Sequence, residues 1–111
     1  MQIDVAERNG AAVVRPLGAR VDLQVAGEFR TALLKLIEVG QYRLVVDMGD
    51  VHFVDSSGLG AIISGLKLAR QAGGDLRIAC ANQQVLVVLD LTSLNQVLQP
   101  YPSVQEALTD F

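Results

Sequence analysis

Several residue types that mark particular kinds of site are scarce in this sequence. There is no tryptophan, and only two tyrosines and three phenylalanines occur among 111 residues, so a groove that stacks aromatic rings on a ligand is disfavoured. One cysteine and one histidine are too few for the common zinc sites, and Cys80 has no partner for an internal disulfide. These shortages predict a protein of a reducing compartment, the cytoplasm, that holds no metal or cofactor.

Long apolar runs and an excess of basic residues are also missing. The longest strictly apolar run, Val85 to Leu89, is far shorter than the ~20 residues of a membrane-spanning helix. Asp4 and Glu7 stand where a signal peptide would be basic or apolar. Nine Lys and Arg against twelve Asp and Glu give a net charge of −3, which does not suit a phosphate backbone. We expect no membrane span, no secretion and no direct nucleic-acid binding.

What the sequence does contain is enough aliphatic material for one core. Hydrophobic residues make up 50% of the chain, which excludes disorder as the main state, and the length fits a single domain over residues 1–111. The predicted strands are Met1–Ala6, Ala11–Pro16, Arg43–Met48, Asp75–Ala81 and Gln96–Gln99. The predicted helices are Leu23–Val39, a second from Asp55 or Ser56 to the Gly73-Gly74 pair, a third capped by Asn82 and ending at Leu91, and a fourth capped by Ser103 and ending at Asp110.

This alternation of strands and helices predicts an α/β fold. Crossovers long enough for helices favour parallel pairing, so the sheet should be mixed and mostly parallel, with about four packed helices. The Asn9-Gly10 dipeptide predicts an antiparallel hairpin at the N-terminus. Residues 49–55 are assigned to a loop before the second helix.

The start of the second predicted helix breaks the local rules. Gly58 and Gly60 fall in its first turn, where each costs up to about 1 kcal/mol relative to Ala, and such a conflict often marks function. We expect the glycines to let another surface approach Ser56 and Ser57, at a helix start that favours a negative group such as phosphate. The simpler alternative is that Asp55 or Ser56 only caps the helix and the glycines only permit a tight turn.

The sequence Asp-Ser-Ser-Gly-Leu-Gly at residues 55–60, after a Val-Val-Asp-Met strand, resembles the signature of the STAS domain, specifically of bacterial anti-sigma factor antagonists. The likeness extends to the opening hairpin, Gly73-Gly74, Leu89-Asp90-Leu91 and Glu106-Ala107-Leu108. The resemblance implies a phosphorylation switch on the second serine, Ser57. In that family the unphosphorylated protein binds an anti-sigma factor that is also a serine kinase and so releases the sigma factor. Phosphorylation by the kinase inactivates the protein, and a serine phosphatase resets it.

The resemblance also implies a partner-binding surface. Its residues here are Asp22, Asp55, Ser56, Ser57, Gly58, Leu59 and Gly60. Capping of the first helix is the simpler role for Asp22, and the two roles are compatible. The sequence departs from the family pattern at Ala19 and Ser93, where glycine is usual. These departures bear on the choice of partner rather than on the switch serine.

Other functional readings of the same residues are weaker. A serine with His52 and Asp55 has the residue types of a hydrolase triad, but the three are crowded into six positions and the Gly-x-Ser-x-Gly elbow is absent. Gly58-Leu59-Gly60 lacks the third glycine of a dinucleotide-binding fingerprint, because Ile63 stands there. We therefore predict a binding protein rather than an enzyme. The alternative is a constitutive STAS scaffold subunit of a stress-signalling or lipid-transport complex.

Two further groups of residues are assigned to no site. Cys80, at the end of an apolar strand, is interpreted as a small buried residue rather than a reactive thiol. Five dispersed arginines are interpreted as solvated surface: Arg15, Arg20, Arg30, Arg43 and Arg70.

Overall fold

The chain begins with the predicted hairpin. In the computed structural model, which describes residues 1–111, β1 (Ile3–Arg8) pairs antiparallel with β2 (Ala11–Pro16). The turn residues Asn9 and Gly10 have φ angles of 54° and 77°, the left-handed pair that a tight two-residue turn requires. Pairing continues up to this turn, so β1 runs to Arg8 rather than to the predicted Ala6.

Five more strands complete two sheets. They are β3 (Arg20–Val21), β4 (Arg43–Asp47), β5 (Phe53–Val54), β6 (Asp75–Ala79) and β7 (Pro100–Tyr101). The main sheet has the order β1-β2-β4-β6-β7, in which every pair after the hairpin is parallel. The central β4 is buried over its apolar residues 44–46, as a strand covered on both faces should be. β3 and β5 form a separate parallel ladder.

Four helices cover the two faces of the main sheet. They are α1 (Leu23–Glu38), α2 (Ser56–Gln71), α3 (Gln83–Leu91) and α4 (Val104–Leu108). The larger core cluster joins one face of the sheet to α1, α2 and α3, whereas a smaller cluster joins the other face to α4. In β2 the side chains alternate between the clusters, Ala12 and Val14 in the larger and Ala11 and Val13 in the smaller. The predicted fold class is therefore confirmed, and none of the helices has the length and hydropathy needed to cross a bilayer.

Arg77, to which the sequence analysis assigned no role, holds the short helix α4 against β6. Nη1 of Arg77, in β6, donates to the carbonyl oxygens of Ala107 and Thr109, both at 2.8 Å. Its guanidinium also lies 5.2 Å from the ring centroid of Tyr101 and 4.5 Å from that of Phe111. These bonds satisfy carbonyl groups at the end of a helix of only five residues.

The predicted strand over Gln96–Gln99 is wrong. Leu94–Gln96 forms a 3-10 helix, and the strand follows it as β7. The 3-10 helix carries the fully buried Leu98 into the core, so the chain reaches the edge of β6 only at Pro100. The backbone N–H groups of Val97 and Leu98 donate to the carbonyl oxygen of Leu94 at 3.1 and 2.8 Å, so these residues continue the turn instead of forming a strand.

Candidate partner-binding site

The short β3–β5 ladder brings the starts of α1 and α2 together. Val21 pairs with Val54 at its end, so Asp22 and Asp55 are the next residues along the two strands. Each of these aspartates is the N-cap of the helix that follows. Residues 49–55 were predicted to be loop throughout, because a ladder of two residue pairs is too short to leave a periodic pattern.

Asp55 is bonded to both helix starts. Its Oδ1 accepts a hydrogen bond from the backbone N–H of Gly58 at 2.9 Å, and its Oδ2 accepts one from the N–H of Leu23 at 3.1 Å. Of the two caps that the sequence allowed, Asp55 is therefore the one that forms, and Ser56 is the exposed first residue of α2. Because both carboxylate oxygens of Asp55 hold backbone groups, this residue positions the site.

Asp22 also has two partners. Oδ1 accepts the N–H of Gln24 at 3.2 Å, and Oδ2 accepts Nε of Arg20 at 3.1 Å. The Arg20 guanidinium lies 4.4 Å from the ring centroid of Phe53, on the paired strand. Arg20 thus belongs to this site and not to the general solvated surface, a placement that only the β3–β5 register reveals.

An exposed leucine stands between the two aspartates. Leu23 is the first residue of α1 and is 76% exposed, although its N–H is held by Asp55. Large aliphatic side chains are usually buried. The sequence patterns treated Leu23 only as the beginning of a helix, because exposure at a helix start leaves no periodic signal.

Ser57 occupies the second position of α2 and is half-buried. Its side chain makes no hydrogen bond, and it lines a shallow groove of about 280 Å³ between α1 and α2. In this α1–α2 groove, Ala26, Gly27 and Arg30 of α1 face Ser57, Gly60 and Ser64 of α2. The hydroxyl is therefore accessible from solvent beside a helix start, where backbone N–H groups favour a negative group.

The two glycines of the motif differ. A Cβ at Gly58 would overlap the backbone carbonyl oxygen of Val21, whereas a Cβ at Gly60 would meet nothing within 4 Å. Gly58 is needed so that α2 can pack against β3, which corrects the expectation that both glycines open the outer surface. Leu59 is only 5% exposed and belongs to the core. Neither Gly58 nor Leu59 presents a side chain to a partner in this structure.

Comparison with known proteins identifies the family. The STAS domain family matches the chain over residues 2–107. The chain belongs to the STAS domain family. Among the relatives of this STAS domain, a Paenibacillus polymyxa protein named anti-sigma F factor antagonist is 30% identical over 99% of this chain and 94% of its own length.

Other relatives agree with this assignment. A Bacillus subtilis protein named anti-sigma-B factor antagonist is 26% identical over 88% of each chain. The crystal structure of an anti-sigma factor antagonist from Mycobacterium paratuberculosis superimposes with a TM-score of 0.86 at 22% identity, covering 97% of this chain and 91% of that one. At this identity the superposition shows a shared fold, and it confirms the predicted STAS architecture.

The residue types of a hydrolase triad are not hydrogen-bonded to one another in this STAS domain. The Asp55 carboxylate bonds to the N–H groups of Leu23 and Gly58, and the His52 side chain makes no hydrogen bond. The backbone N–H of His52 instead donates to the carbonyl oxygen of Ala19 at 2.7 Å. Neither His52 nor Asp55 therefore makes the hydrogen bond to a serine hydroxyl that an activating base would make.

The two departures from the family pattern have different structural settings. Ser93 has a φ angle of 58°, in the left-handed region that favours glycine. Serine is therefore strained at this position, where the resemblance implied glycine. Ala19 has no positive φ angle, and its carbonyl oxygen accepts the N–H groups of His52 and Phe53.

Cys80 is half-buried at the end of β6, with a φ angle of 61°. Burial, and next the negative charge of Asp47, raise the pKa of its thiol above the usual range. A protonated thiol is a weak nucleophile. This geometry agrees with the interpretation of Cys80 as an unreactive residue.

Proposed function

We propose that this STAS domain is an anti-sigma factor antagonist whose binding to its partner is switched by phosphorylation of Ser57. The name of the relative from Paenibacillus polymyxa, which matches nearly the whole chain, supports the antagonist function. The observation that carries the switch is the position of Ser57, half-buried and without a hydrogen bond beside the paired helix starts. We place this function in the cytoplasm, where an anti-sigma factor would be met.

In the unphosphorylated state, the surface around the two helix starts binds an anti-sigma factor and so releases the sigma factor. Asp22 contributes charge, and the exposed Leu23 contributes apolar area. Ser56, Ser57 and Gly60 form the uncharged neighbouring part of the surface. This surface is supported by three residues that lie under it and pack or bond to its backbone: Asp55, Gly58 and Leu59.

The anti-sigma factor is in this proposal also the kinase. The Oγ of Ser57 attacks the γ-phosphorus of ATP, a new O–P bond forms, the bond to the leaving ADP breaks, and the hydroxyl proton passes to the kinase. A serine phosphatase later adds water to the phosphate ester, which returns the hydroxyl and releases inorganic phosphate. The STAS domain supplies the acceptor hydroxyl and the ATP belongs to its partner.

The phosphoryl group weakens binding by its charge and volume. It brings about −1.5 to −2 charges at neutral pH to a surface that already holds Asp22 and Asp55. In the free protein, water and the N–H groups of the helix start accept this charge. At a closed interface the repulsion grows because water is removed, and we expect a loss of about 1.5 to 3 kcal/mol, or roughly ten- to 150-fold in affinity.

The test begins with two baits, the unmodified domain and its Ser57→Asp variant, used in parallel on cytosol of the source organism. The anti-sigma factor that the unmodified bait retains is then purified and incubated with the domain and ATP. Phosphopeptide mapping should show one modification, on Ser57. Ser57→Ala should bind and remain unmodified, whereas the matched Ser56→Ala variant should still be phosphorylated.

Calorimetric titration then compares the two protein forms. The unmodified and the stoichiometrically phosphorylated domain are titrated with the anti-sigma factor at fixed nucleotide and salt. Dissociation constants within threefold of each other, with both forms folded, would overturn the switch and support the constitutive scaffold. Labelling of Ser56, Ser64 or Ser93 in place of Ser57 would contradict the choice of acceptor.

A further inference from the structure

Arg30 is an arginine without a partner in the groove that Ser57 lines. It is exposed on α1 and takes part in no hydrogen bond or ion pair, whereas Arg15, Arg20 and Arg70 are each paired with an aspartate. No acidic side chain lines the α1–α2 groove. The guanidinium of Arg30 is therefore the one charged group of this groove, and its charge is not neutralised within the molecule.

The helices α1 and α2 run side by side in the same direction. At their starts the N–H of Leu23 meets the carboxylate of Asp55, 32 residues later. Further along, a Cβ at Gly65 would touch the side chain of Leu33, which is the same separation in sequence. By this constant offset Arg30 is level with Ile62, so its backbone is only about 7.5 Å further along the helix direction than that of Ser57.

The side chain of Arg30 has the direction and the space to close this distance. Side chains on a helix lean toward its N-terminus, which for Arg30 is the direction of Ser57. The groove between them is floored by small residues, and a Cβ at Gly27 or at Gly60 would meet nothing within 4 Å. Apart from Arg30, the groove is lined only by alanine, glycine and serine, so no large side chain of its lining obstructs the approach of Arg30 to Ser57.

We propose that Arg30 binds the phosphoryl group on Ser57, an assignment that rests on the proposed function only in taking Ser57 as the phosphate acceptor. A guanidinium offers paired N–H donors that match the oxygens of a phosphate monoester. The phosphate then lies between the N–H groups at the start of α2 and the Arg30 side chain. The groove becomes a phosphoserine-binding groove built into the same domain, and it stabilises the phosphorylated form of Ser57.

The experiment places phosphoserine at position 57 during translation, so that no kinase is needed. The second ionisation of the phosphate, near pH 6 in free phosphoserine, is followed by phosphorus NMR as a function of pH. A nearby cation stabilises the dianion and lowers this midpoint. Arg30→Gln should raise the midpoint by about half a pH unit, as expected for an exposed ion pair, and Arg30→Lys should raise it less.

Two controls isolate the contact. Arg43→Gln removes another exposed and unpaired arginine that lies outside the groove, and it should leave the midpoint unchanged. Phosphoserine at position 56 shares the helix start but does not line the groove, so its midpoint should not respond to Arg30→Gln. An unchanged midpoint for phosphoserine 57 in Arg30→Gln, or an equal shift for phosphoserine 56, would overturn the proposal.

The outcome is independent of the switch itself. If Arg30→Gln shifts the midpoint but kinase mapping finds another acceptor, the proposed function fails while the groove stands as a phosphate-binding site. If mapping finds Ser57 and the midpoint does not move, the switch stands and the role of Arg30 fails.

Discussion

The carboxylate of Asp55 accepts the backbone N–H of Leu23, 32 residues earlier in the chain, at 3.1 Å. Its other oxygen accepts the N–H of Gly58 at 2.9 Å. The first N–H groups of a helix have no partner within the helix, and here one side chain serves two helices. Its negative charge also lies against the positive ends of both helix dipoles. The relative position of the α1 and α2 starts, and with it the partner-binding surface, depends on this residue.

Replacing Asp55 should therefore cost more than the loss of one cap. Asp55→Ala removes both hydrogen bonds, and we expect the free energy of unfolding to fall by about 2 kcal/mol. Asp55→Asn retains one acceptor oxygen, so it should lose about 1 kcal/mol. Urea unfolding measures both. The control is Asp50→Ala, which breaks only an exposed pair with Arg15 and should cost less than about 0.5 kcal/mol; equal losses in the Ala and Asn variants would contradict the double role.

The two glycines of the motif should respond in opposite directions to the same substitution. Gly58→Ala introduces a Cβ onto the carbonyl oxygen of Val21, and it should destabilise the domain by about 3 kcal/mol despite the better helix propensity of alanine. Gly60→Ala meets open space, so it should stabilise the domain by about 0.5 kcal/mol. Thermal unfolding of the two variants decides this, and a loss of stability in both would mean that Gly60 is also packed.

Elements with long sequence patterns were predicted correctly, whereas features that depend on a few residues were missed. The 16 residues of α1 carry a full apolar stripe, and the central strand β4 holds the buried apolar run Leu44–Val46 between Arg43 and Asp47, so both were predicted nearly to the residue. The β3–β5 ladder has only two residue pairs, and it alone places Arg20 and Asp22 beside the start of α2. The different roles of Gly58 and Gly60 could not be separated, since they depend on which backbone lies opposite each residue. For the same reason Arg30 was grouped with the dispersed arginines.

Ser93 offers a test of backbone strain. Its φ angle of 58° costs a side-chain-bearing residue roughly 1 to 2 kcal/mol, whereas glycine adopts it freely but loses more entropy on folding. Ser93→Gly should therefore stabilise the domain by about 0.5 kcal/mol in urea unfolding. Ser103→Gly is the contrasting variant, because Ser103 caps α4 with an extended backbone and its replacement should not stabilise. A destabilised Ser93→Gly would show that the serine side chain makes a contribution larger than the strain.

Because of the Cys80 thiol, we expect the free energy of unfolding to fall at alkaline pH. Its pKa is raised in the folded state, first by burial and then by Asp47, so well below the ordinary thiol pKa both folded and unfolded chains keep the proton. At higher pH the unfolded chain releases it first, and the free energy of unfolding falls as pH rises. Thiolate absorbance should titrate above the ordinary range, and Asp47→Asn should lower the midpoint only part of the way. In the Cys80→Ser variant the free energy of unfolding should fall less steeply as pH rises. An unchanged slope would contradict the role of the thiol.

Variants of Asp22 distinguish its role in stability from its role in partner binding. Asp22→Asn keeps an oxygen that can accept the N–H of Gln24 and loses only the charge that pairs with the exposed Arg20, so its stability should change by less than about 0.5 kcal/mol. Asp22→Lys loses the cap, which typically contributes about 1 kcal/mol. It also places a cation on the proposed surface, and we expect its affinity for the anti-sigma factor to fall by more than about tenfold. Calorimetric titration below the unfolding transition measures this affinity on folded protein, so the lost cap does not account for the change.

Asp22→Ala removes the cap without adding a cation and is the matched control. If Asp22→Asn binds as well as the unmodified domain and Asp22→Lys loses thermal stability alone, Asp22 acts only as the cap of α1.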